Sequence, residues 1–258
     1  MYSKFKVSTS DDYSSYYEIG KIHLEEQKTN IEKRLEEFID YDTGIIDGRA
    51  LEEELFKEIE ADIFLSHSHS DEKLAVGFAG WLKTNFNLTA FVDSCVWKYA
   101  DDILKEINNR YNLLRTEKDG SKTYSHSKAN YAASHIYLML NSALNNMINK
   151  TECFMFIDTE HSCIHMDKTE APDKTLSPWI YSEIVMANTM KITFPDRPFF
   201  TSELRHSFSE SLKISHDLDL STFFYLGATD LANWKYQNKG DMHPLDKLYS
   251  IKSKGNRK

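Results

Sequence analysis

Four residues with hydroxyl or imidazole side chains follow directly after a short apolar run. The run occupies residues 63–65, and the turn after it holds Ser66, His67, Ser68 and His69. An amphipathic helix follows at once, so the pattern predicts a strand, a turn and a helix. In open α/β sheets, ligands bind outside the carboxyl ends of the strands, where such turns lie. We therefore expect this turn at a ligand site, although a polar turn that only caps the next helix is an alternative.

A second segment whose residues could take part in catalysis begins at Ser177. Serine is a good N-cap, and Pro178 suits the first helical position because proline lacks the N–H that a helix start leaves unused. Trp179 and Glu183 are four residues apart, so they share one face of this helix. The helix is predicted to end near Lys191. We expect Glu183 to face the turn that contains Ser66, and the alternative is a solvated surface glutamate.

Composition narrows the classes of function. The chain has 258 residues, a formal net charge of −9 and a pI near 5.6. An acidic chain argues against nucleic acid as the main partner, since phosphate binding favours a basic surface. No apolar run reaches about 18 residues and the start resembles no signal peptide, so we expect no membrane span. Three sparse cysteines are consistent with reduced thiols, which favours a cytoplasmic location.

The remaining elements predict an α/β core with a mainly parallel sheet flanked by helices, because strands alternate with helices. Predicted strands cover residues 63–65, 88–93, 153–158 and 222–226. Predicted helices cover residues 13–39, 49–59, 71–86, 101–111, 132–149, 178–191, 231–236 and 245–251, and Asp101 is the expected N-cap of its helix. Residues 1–12 are expected to be frayed, and loops are predicted at 94–100, 115–130 and 159–176. The predicted domains are a helical N-terminal extension (1–60), a core (61–195) and a C-terminal strand and helices that complete or cap the core (196–258).

The order of these motifs resembles a TIR domain of the bacterial kind. The resemblance covers about residues 61–195 and rests on Asp62 before the strand 63–65, the Ser66-His67-Ser68 turn, Phe91-Val92-Asp93, the strand 153–157, and Ser177-Pro178-Trp179 followed by Glu183. It implies a flavodoxin-like fold and, as in several TIR domains, cleavage of NAD+ at the nicotinamide–ribose bond. The products are ADP-ribose or a cyclic ADP-ribose signal in antiphage defence.

The resemblance also assigns roles to residues and partners. It implies that Glu183 is the catalytic residue and that NAD+ is a substrate, with no cofactor and no metal. The residues expected around the substrate are Ser66, His67, Ser68, Phe91, Asp93, Trp97 and Trp179. It further implies self-association through TIR–TIR contacts, a phage-derived trigger and a downstream effector that senses the nucleotide product. The segment 94–100 departs from the family pattern because it contains no glycine or proline.

A single acid suits this reaction. Nicotinamide in NAD+ is a cationic leaving group, so no proton donor is needed. Ordinary glycosidases, in contrast, pair two carboxylates so that one can protonate the departing oxygen. Glu183 would hydrogen-bond the ribose hydroxyls and stabilise an oxocarbenium-like centre electrostatically.

Two other functions stay open at this point. The spacing of His67, His69 and Asp71 matches the start of a zinc-hydrolase signature, but Glu72 stands where that signature has a further histidine. His161, Cys163 and His165 alternate in a loop, which by itself is weak evidence for a metal. A non-catalytic adaptor is the second alternative, in which the N-terminal helical stretch provides a partner surface.

Overall fold

The structure is a computed structural model, and it describes residues 1–28, 38, 46–55, 59–165, 173–197, 220–238 and 242–255. The chain divides into two compact units. The first comprises Met1–Leu24, Glu60–Val92 and Met147–Lys258, and the second comprises Glu25–Ile59 and Asp93–Asn146. These divisions do not coincide with the boundaries expected at residues 60 and 195, because the first unit takes in the N terminus.

The first unit is built on a five-stranded parallel sheet. Its strands are β1 (Ser3–Val7), β2 (Ile63–Ser66), β3 (Ala90–Val92), β6 (Cys153–Ile157) and β7 (Phe224–Leu226), in the order β3-β2-β6-β1-β7. Every residue of β2 and β6 is buried, as expected for strands covered on both faces. The prediction of an α/β fold with a parallel central sheet is confirmed, and the arrangement is compatible with a flavodoxin-like fold.

Strand β1 corrects two expectations about the N terminus. Residues 1–12 are not frayed, and residues 1–60 are not an all-helical extension, because β1 lies between β6 and β7 in the sheet. In a flavodoxin-like order of 2-1-3-4-5, β1 occupies the fourth place. Its two lysines made the segment look solvent-exposed. Lys4 is nevertheless buried, and its Nζ donates to Asn188 Oδ1 at 3.1 Å.

Helices cover both faces of this sheet. They are the start of α1 (Tyr17–Lys28), α3 (Glu72–Phe86), α6 (Pro178–Thr189), α7 (Ala228–Gln237) and α8 (Pro244–Gly255). Phe5 stacks on Tyr249 of α8 with ring centroids 6.0 Å apart. The neighbouring Lys4 side chain bonds to Asn188 of α6. Because successive side chains of a strand point to opposite faces, α6 and α8 lie on opposite sides of the sheet.

Two glycines allow α1 and α3 to pack backbone to backbone. A Cβ on Gly20 would lie 1.9 Å from the carbonyl oxygen of Val76. A Cβ on Gly80 would lie 2.1 Å from that of Tyr16. Any side chain at either position would force these helices apart, so glycine is required by the close approach.

The second unit contains α2 (Gly48–Leu55), α4 (Ser94–Ile107), the antiparallel hairpin β4 (Leu113–Thr116) and β5 (Lys122–Tyr124), and most of α5 (His126–Lys150). Two expectations were wrong here. The segment 94–100 is helical, so Asp101 lies inside α4 and is not its cap. The predicted loop 115–130 holds most of the hairpin and the first turn of α5. The predicted helices 13–39 and 49–59 each include residues outside the described ones and stay predictions there.

Within the described part of the chain, no helix combines the length and the apolar character that a membrane crossing requires.

Candidate active site

Ser66 ends β2 at the carboxyl edge of the sheet. The strand places three apolar residues in the core and then a hydroxyl group, and Ser66 pairs in register with Phe156 of β6. Its side chain is fully buried. The predicted polar turn therefore begins inside the fold and not on its surface.

Glu183 reaches the same place from α6. The Ser177 hydroxyl accepts a hydrogen bond from the Ile180 N–H at 3.3 Å, and Pro178 opens the helix, as the sequence predicts. The buried residues of α6 recur at helical spacing, and Glu183 is one of them: Ile180, Glu183, Ile184 and Ala187. A carboxylate therefore occupies a position in the stripe that packs on the core, where an apolar side chain is the usual choice.

Ser66 and Glu183 are in direct contact. The Ser66 hydroxyl donates to Glu183 Oε2 at 2.6 Å, and the bond joins residues 117 positions apart. Glu183 is only 1% exposed. Hydrogen bonds to ionised acceptors are shorter and stronger than neutral ones, and a low-dielectric interior strengthens them further. The two segments singled out from the sequence thus meet in a dry environment, and Glu183 is not a solvated surface residue.

The position of this pair in the sheet is that of a ligand site. Strands β2 and β6 are neighbours in the sheet. The strand that follows β2 along the chain, β3, lies on one side of this pair, whereas the strand that follows β6, β7, lies on the other side. Such a reversal of strand order opens a crevice beyond the carboxyl ends, and open α/β proteins bind ligands there. The turns after β2 and β6 are tied together at this edge, because Thr159 Oγ1 donates to Asp71 Oδ2 at 2.5 Å.

The other residues of the turn differ in exposure. His67 is buried, Ser68 is half-buried and His69 is exposed. Among the described residues, the group of His, Cys, Asp and Glu side chains close enough to share an ion does not include His67, His69 or Asp71. The structure therefore does not assemble the zinc-hydrolase signature considered from the sequence.

The four remaining predicted site residues fall in different settings. Phe91 is 1% exposed, and its ring centroid lies 5.3 Å from that of Phe64, which places it in the core of the sheet. Trp179 is half-buried, one helical turn before Glu183. Asp93 is buried and immediately precedes α4 in the second unit. Trp97 lies in α4, not in a loop, and its side chain is outside the described ones.

Sequence reasoning missed a second polar cluster at this edge of the sheet. Lys6 Nζ lies 3.2 Å from Asp158 Oδ2 and 3.1 Å from Asp173 Oδ2. His165 contacts the same two carboxylates, with Nε2 at 3.2 Å from Asp158 Oδ1 and Nδ1 at 3.4 Å from Asp173 Oδ2. The available signals were Asp158 directly after a buried strand and the alternation of Cys163 with His165. Lys6 gave no signal, because its strand was not recognised.

Electrostatics in this cluster favour paired charges. Burial would lower the pKa of Lys6, but Asp158 and Asp173 outweigh it and raise that pKa. Burial, followed by the negative charges of Asp173 and Asp158, raises the pKa of the Cys163 thiol to about 12. The Cys163 thiol is therefore protonated at neutral pH.

No protein-family model, curated protein or solved structure matches this chain. The resemblance to TIR domains therefore rests on the residues and motifs named above.

Proposed function

We propose that the protein cleaves NAD+ at its nicotinamide–ribose bond with Glu183 as the catalytic carboxylate. The observation that supports this proposal most directly is the buried hydrogen bond from Ser66 to Glu183 at the reversal of strand order. The Glu183 carboxylate lies at the edge of the sheet where open α/β folds bind ligands. The TIR resemblance of the surrounding motifs points to NAD+ as that ligand.

The reaction needs little from the protein besides charge and position. The bond between the anomeric carbon and the nicotinamide nitrogen breaks, and its electron pair leaves with neutral nicotinamide. Positive charge then develops on the ribose, and the Glu183 carboxylate stabilises it without accepting a proton. Water completes the reaction to ADP-ribose with release of a proton, or an adenine nitrogen attacks to give a cyclic product.

The environment of Glu183 suits this role. Burial removes competing water, so the attraction between the carboxylate and a cationic ribose is stronger than at a surface. Ser66 fixes the orientation of the carboxylate. Because Glu183 is 1% exposed, the proposal requires an open state in which the ribose hydroxyls reach the carboxylate.

The biological setting follows from the resemblance. In this proposal the protein acts in the cytoplasm as a component of antiphage defence, self-associates through TIR–TIR contacts and responds to a phage-derived trigger. A downstream effector senses the nucleotide product. A burial argument favours catalysis over an adaptor role, since an adaptor would gain stability from an apolar residue in the core stripe of α6.

The test is an assay of nicotinamide release. The protein, Glu183→Gln and the matched control Glu160→Gln are each incubated with NAD+ over a range of protein concentrations, and the products are separated by chromatography. Glu160 is an exposed glutamate in the turn after β6. We expect Glu183→Gln to lose activity by at least about 100-fold, since removal of a transition-state stabilising group typically costs that much. Glu160→Gln should retain it.

Three outcomes would contradict the proposal. Activity that survives Glu183→Gln would remove Glu183 from the reaction. Activity that a chelator abolishes would favour a metal-dependent hydrolase. NAD+ that stays intact at every concentration, together with stoichiometric binding to a second TIR protein, would favour the adaptor.

A further inference from the structure

The loop between β6 and α6 brings three different kinds of metal ligand together. Asp158, Cys163 and His165 each offer one donor atom, and these atoms lie within 4.8 Å of one another. Cys163 Sγ lies 3.8 Å from His165 Nδ1, and His165 Nε2 lies 3.2 Å from Asp158 Oδ1. Ligands about 2.0–2.3 Å from a tetrahedral zinc ion are roughly 3.3–3.8 Å apart. The separation of Asp158 Oδ1 and His165 Nε2 is close to that in a zinc site, and Cys163 Sγ would have to move toward Nε2 when the ion enters.

We propose that Asp158, Cys163 and His165 bind a zinc ion. The donor set selects the metal, because magnesium and calcium prefer oxygen ligands, whereas a thiolate with an imidazole favours zinc. Asp173 lies beside this set and outside it, since its Oδ2 is 3.4 Å from His165 Nδ1, on the other side of the ring from Asp158.

The groups around these ligands match the needs of a metal-binding histidine. An imidazole presents one nitrogen to an ion and usually donates its other N–H to a carboxylate. With Nε2 of His165 turned to the ion beside Asp158, Nδ1 can donate its N–H to Asp173 Oδ2, which lies 3.4 Å away. Lys6 contacts Asp158 through Oδ2, which leaves Oδ1 on the side of His165.

The rival interpretation is that Lys6 alone balances the charges of Asp158 and Asp173 and that no metal ion binds. Charge balance shows that Lys6 and a zinc ion are compatible. Zinc binding converts the Cys163 thiol to a thiolate and releases its proton to solvent. Asp158, Asp173 and the thiolate then carry three negative charges, which balance the zinc ion and the Lys6 ammonium.

The consequence for the fold is local. Ile164 and Lys174 form a short antiparallel bridge, with N–H to O distances of 2.7 and 3.0 Å. A zinc ion on the neighbouring residues would anchor the loop that leads into α6. The site is thus structural, and it does not depend on NAD+ cleavage.

A cobalt titration tests the proposal. Co2+ replaces zinc in tetrahedral sites and gives intense visible bands, together with a near-ultraviolet charge-transfer band when a thiolate is bound. Metal-stripped full-length protein should bind one equivalent with both features, and Zn2+ should abolish them. Cys163→Ser should lose the charge-transfer band, and His165→Gln should lower the affinity at least about tenfold. His161→Gln, which changes an exposed histidine of the same loop, should bind as the parent does.

The controls make each result decisive. His165 is half exposed, so His165→Gln should fold even if Cys163→Ser does not, and circular dichroism checks both. A spectrum without the thiolate band, a band that survives Cys163→Ser, or an equal loss in His161→Gln would each overturn the zinc site and leave the Lys6 ion network only. Glu183→Gln should bind Co2+ normally, which separates this proposal from the one on NAD+.

Discussion

Two polar clusters at the carboxyl edge of the same sheet hold their carboxylates in different ways. Glu183 is 1% exposed and accepts a hydrogen bond from the neutral hydroxyl of Ser66. Asp158 and Asp173 instead meet the ammonium group of Lys6, and Asp173 remains partly exposed. A hydroxyl group orients a carboxylate without bringing a formal charge, whereas an ammonium group forms an ion pair with it. The first contact is suited to holding a carboxylate beside a ligand, and the second balances charge within the protein.

This difference explains why we assign chemistry to one cluster and structure to the other. A buried charge costs stability unless it is well hydrogen-bonded. Glu183 is buried at the crevice where a ligand is expected and accepts a hydrogen bond there from Ser66. The Asp158 cluster reduces the cost through ion pairs, and in our proposal a zinc ion extends the same principle.

The largest predicted contrast concerns the Cys163 thiol. With its pKa raised to about 12, the thiol is almost entirely protonated at pH 8. The thiolate is the reactive form, so alkylation of native Cys163 should be about 10³-fold slower than in the unfolded chain, where the pKa is about 8.5. Mass spectrometry of iodoacetamide-labelled peptides, with a chelator present, measures this ratio. Rapid native labelling of the Cys163 peptide would show that the cluster is open and hydrated, and the comparison would fail.

The second prediction concerns the hydrogen bond that defines the first cluster. Ser66→Ala removes the donor from a buried carboxylate, so the free energy of unfolding should fall by about 1.5–3 kcal/mol. Ser68→Ala changes a half-buried serine of the same turn and should stay within about 0.5 kcal/mol of the parent. Urea unfolding followed by circular dichroism measures both. Equal effects of the two substitutions would mean that the Ser66 bond does not stabilise the buried charge.

The sequence predicted the first cluster well because both of its segments obey local rules. A short apolar run with a polar end indicates a strand that enters a turn, and Ser177 with Pro178 indicates where a helix begins. The end of the strand at Ser66 and the start of the helix at Pro178 bring Ser66 and Glu183 to the same edge of the sheet, provided that the sheet is parallel. The meeting of Ser66 with Glu183 therefore needed no knowledge of the rest of the chain.

The second cluster was not predictable in the same way. Lys6 lies on an interior strand whose lysines resemble those of a solvated segment, and only the folded sheet shows that Asp158 and Asp173 receive its charge. The first half of α4 was missed for a different reason, because Val96, Ala100 and Ile103 recur at helical spacing but residues 94–100 were interpreted as a loop. Tertiary partners decide the first case, whereas the local pattern already contained the second.

The smallest predicted effect is the pH dependence of the ion pair between Lys6 and Asp173. Burial would raise the pKa of Asp173, but the hydrogen bond and charge of Lys6, with a contribution from His165, outweigh it and lower that pKa. A carboxyl group whose pKa is lower in the folded state stabilises the fold above its unfolded pKa of about 3.9 and loses that contribution as the pH falls through the folded value. Because the pair is partly exposed, we expect about 0.2–1 kcal/mol.

Asp173→Asn isolates this contribution from the rest of the protein. The difference in unfolding free energy between parent and variant should be constant above about pH 5 and should shrink as the pH falls below about 4. Urea titrations at several pH values measure the difference, and Asp102→Asn serves as a control for an exposed aspartate away from the cluster. A difference that grows on acidification would mean that the folded protein raises the pKa of Asp173. Lys6 would then not neutralise this carboxylate, and the contrast with Glu183 would rest on burial alone.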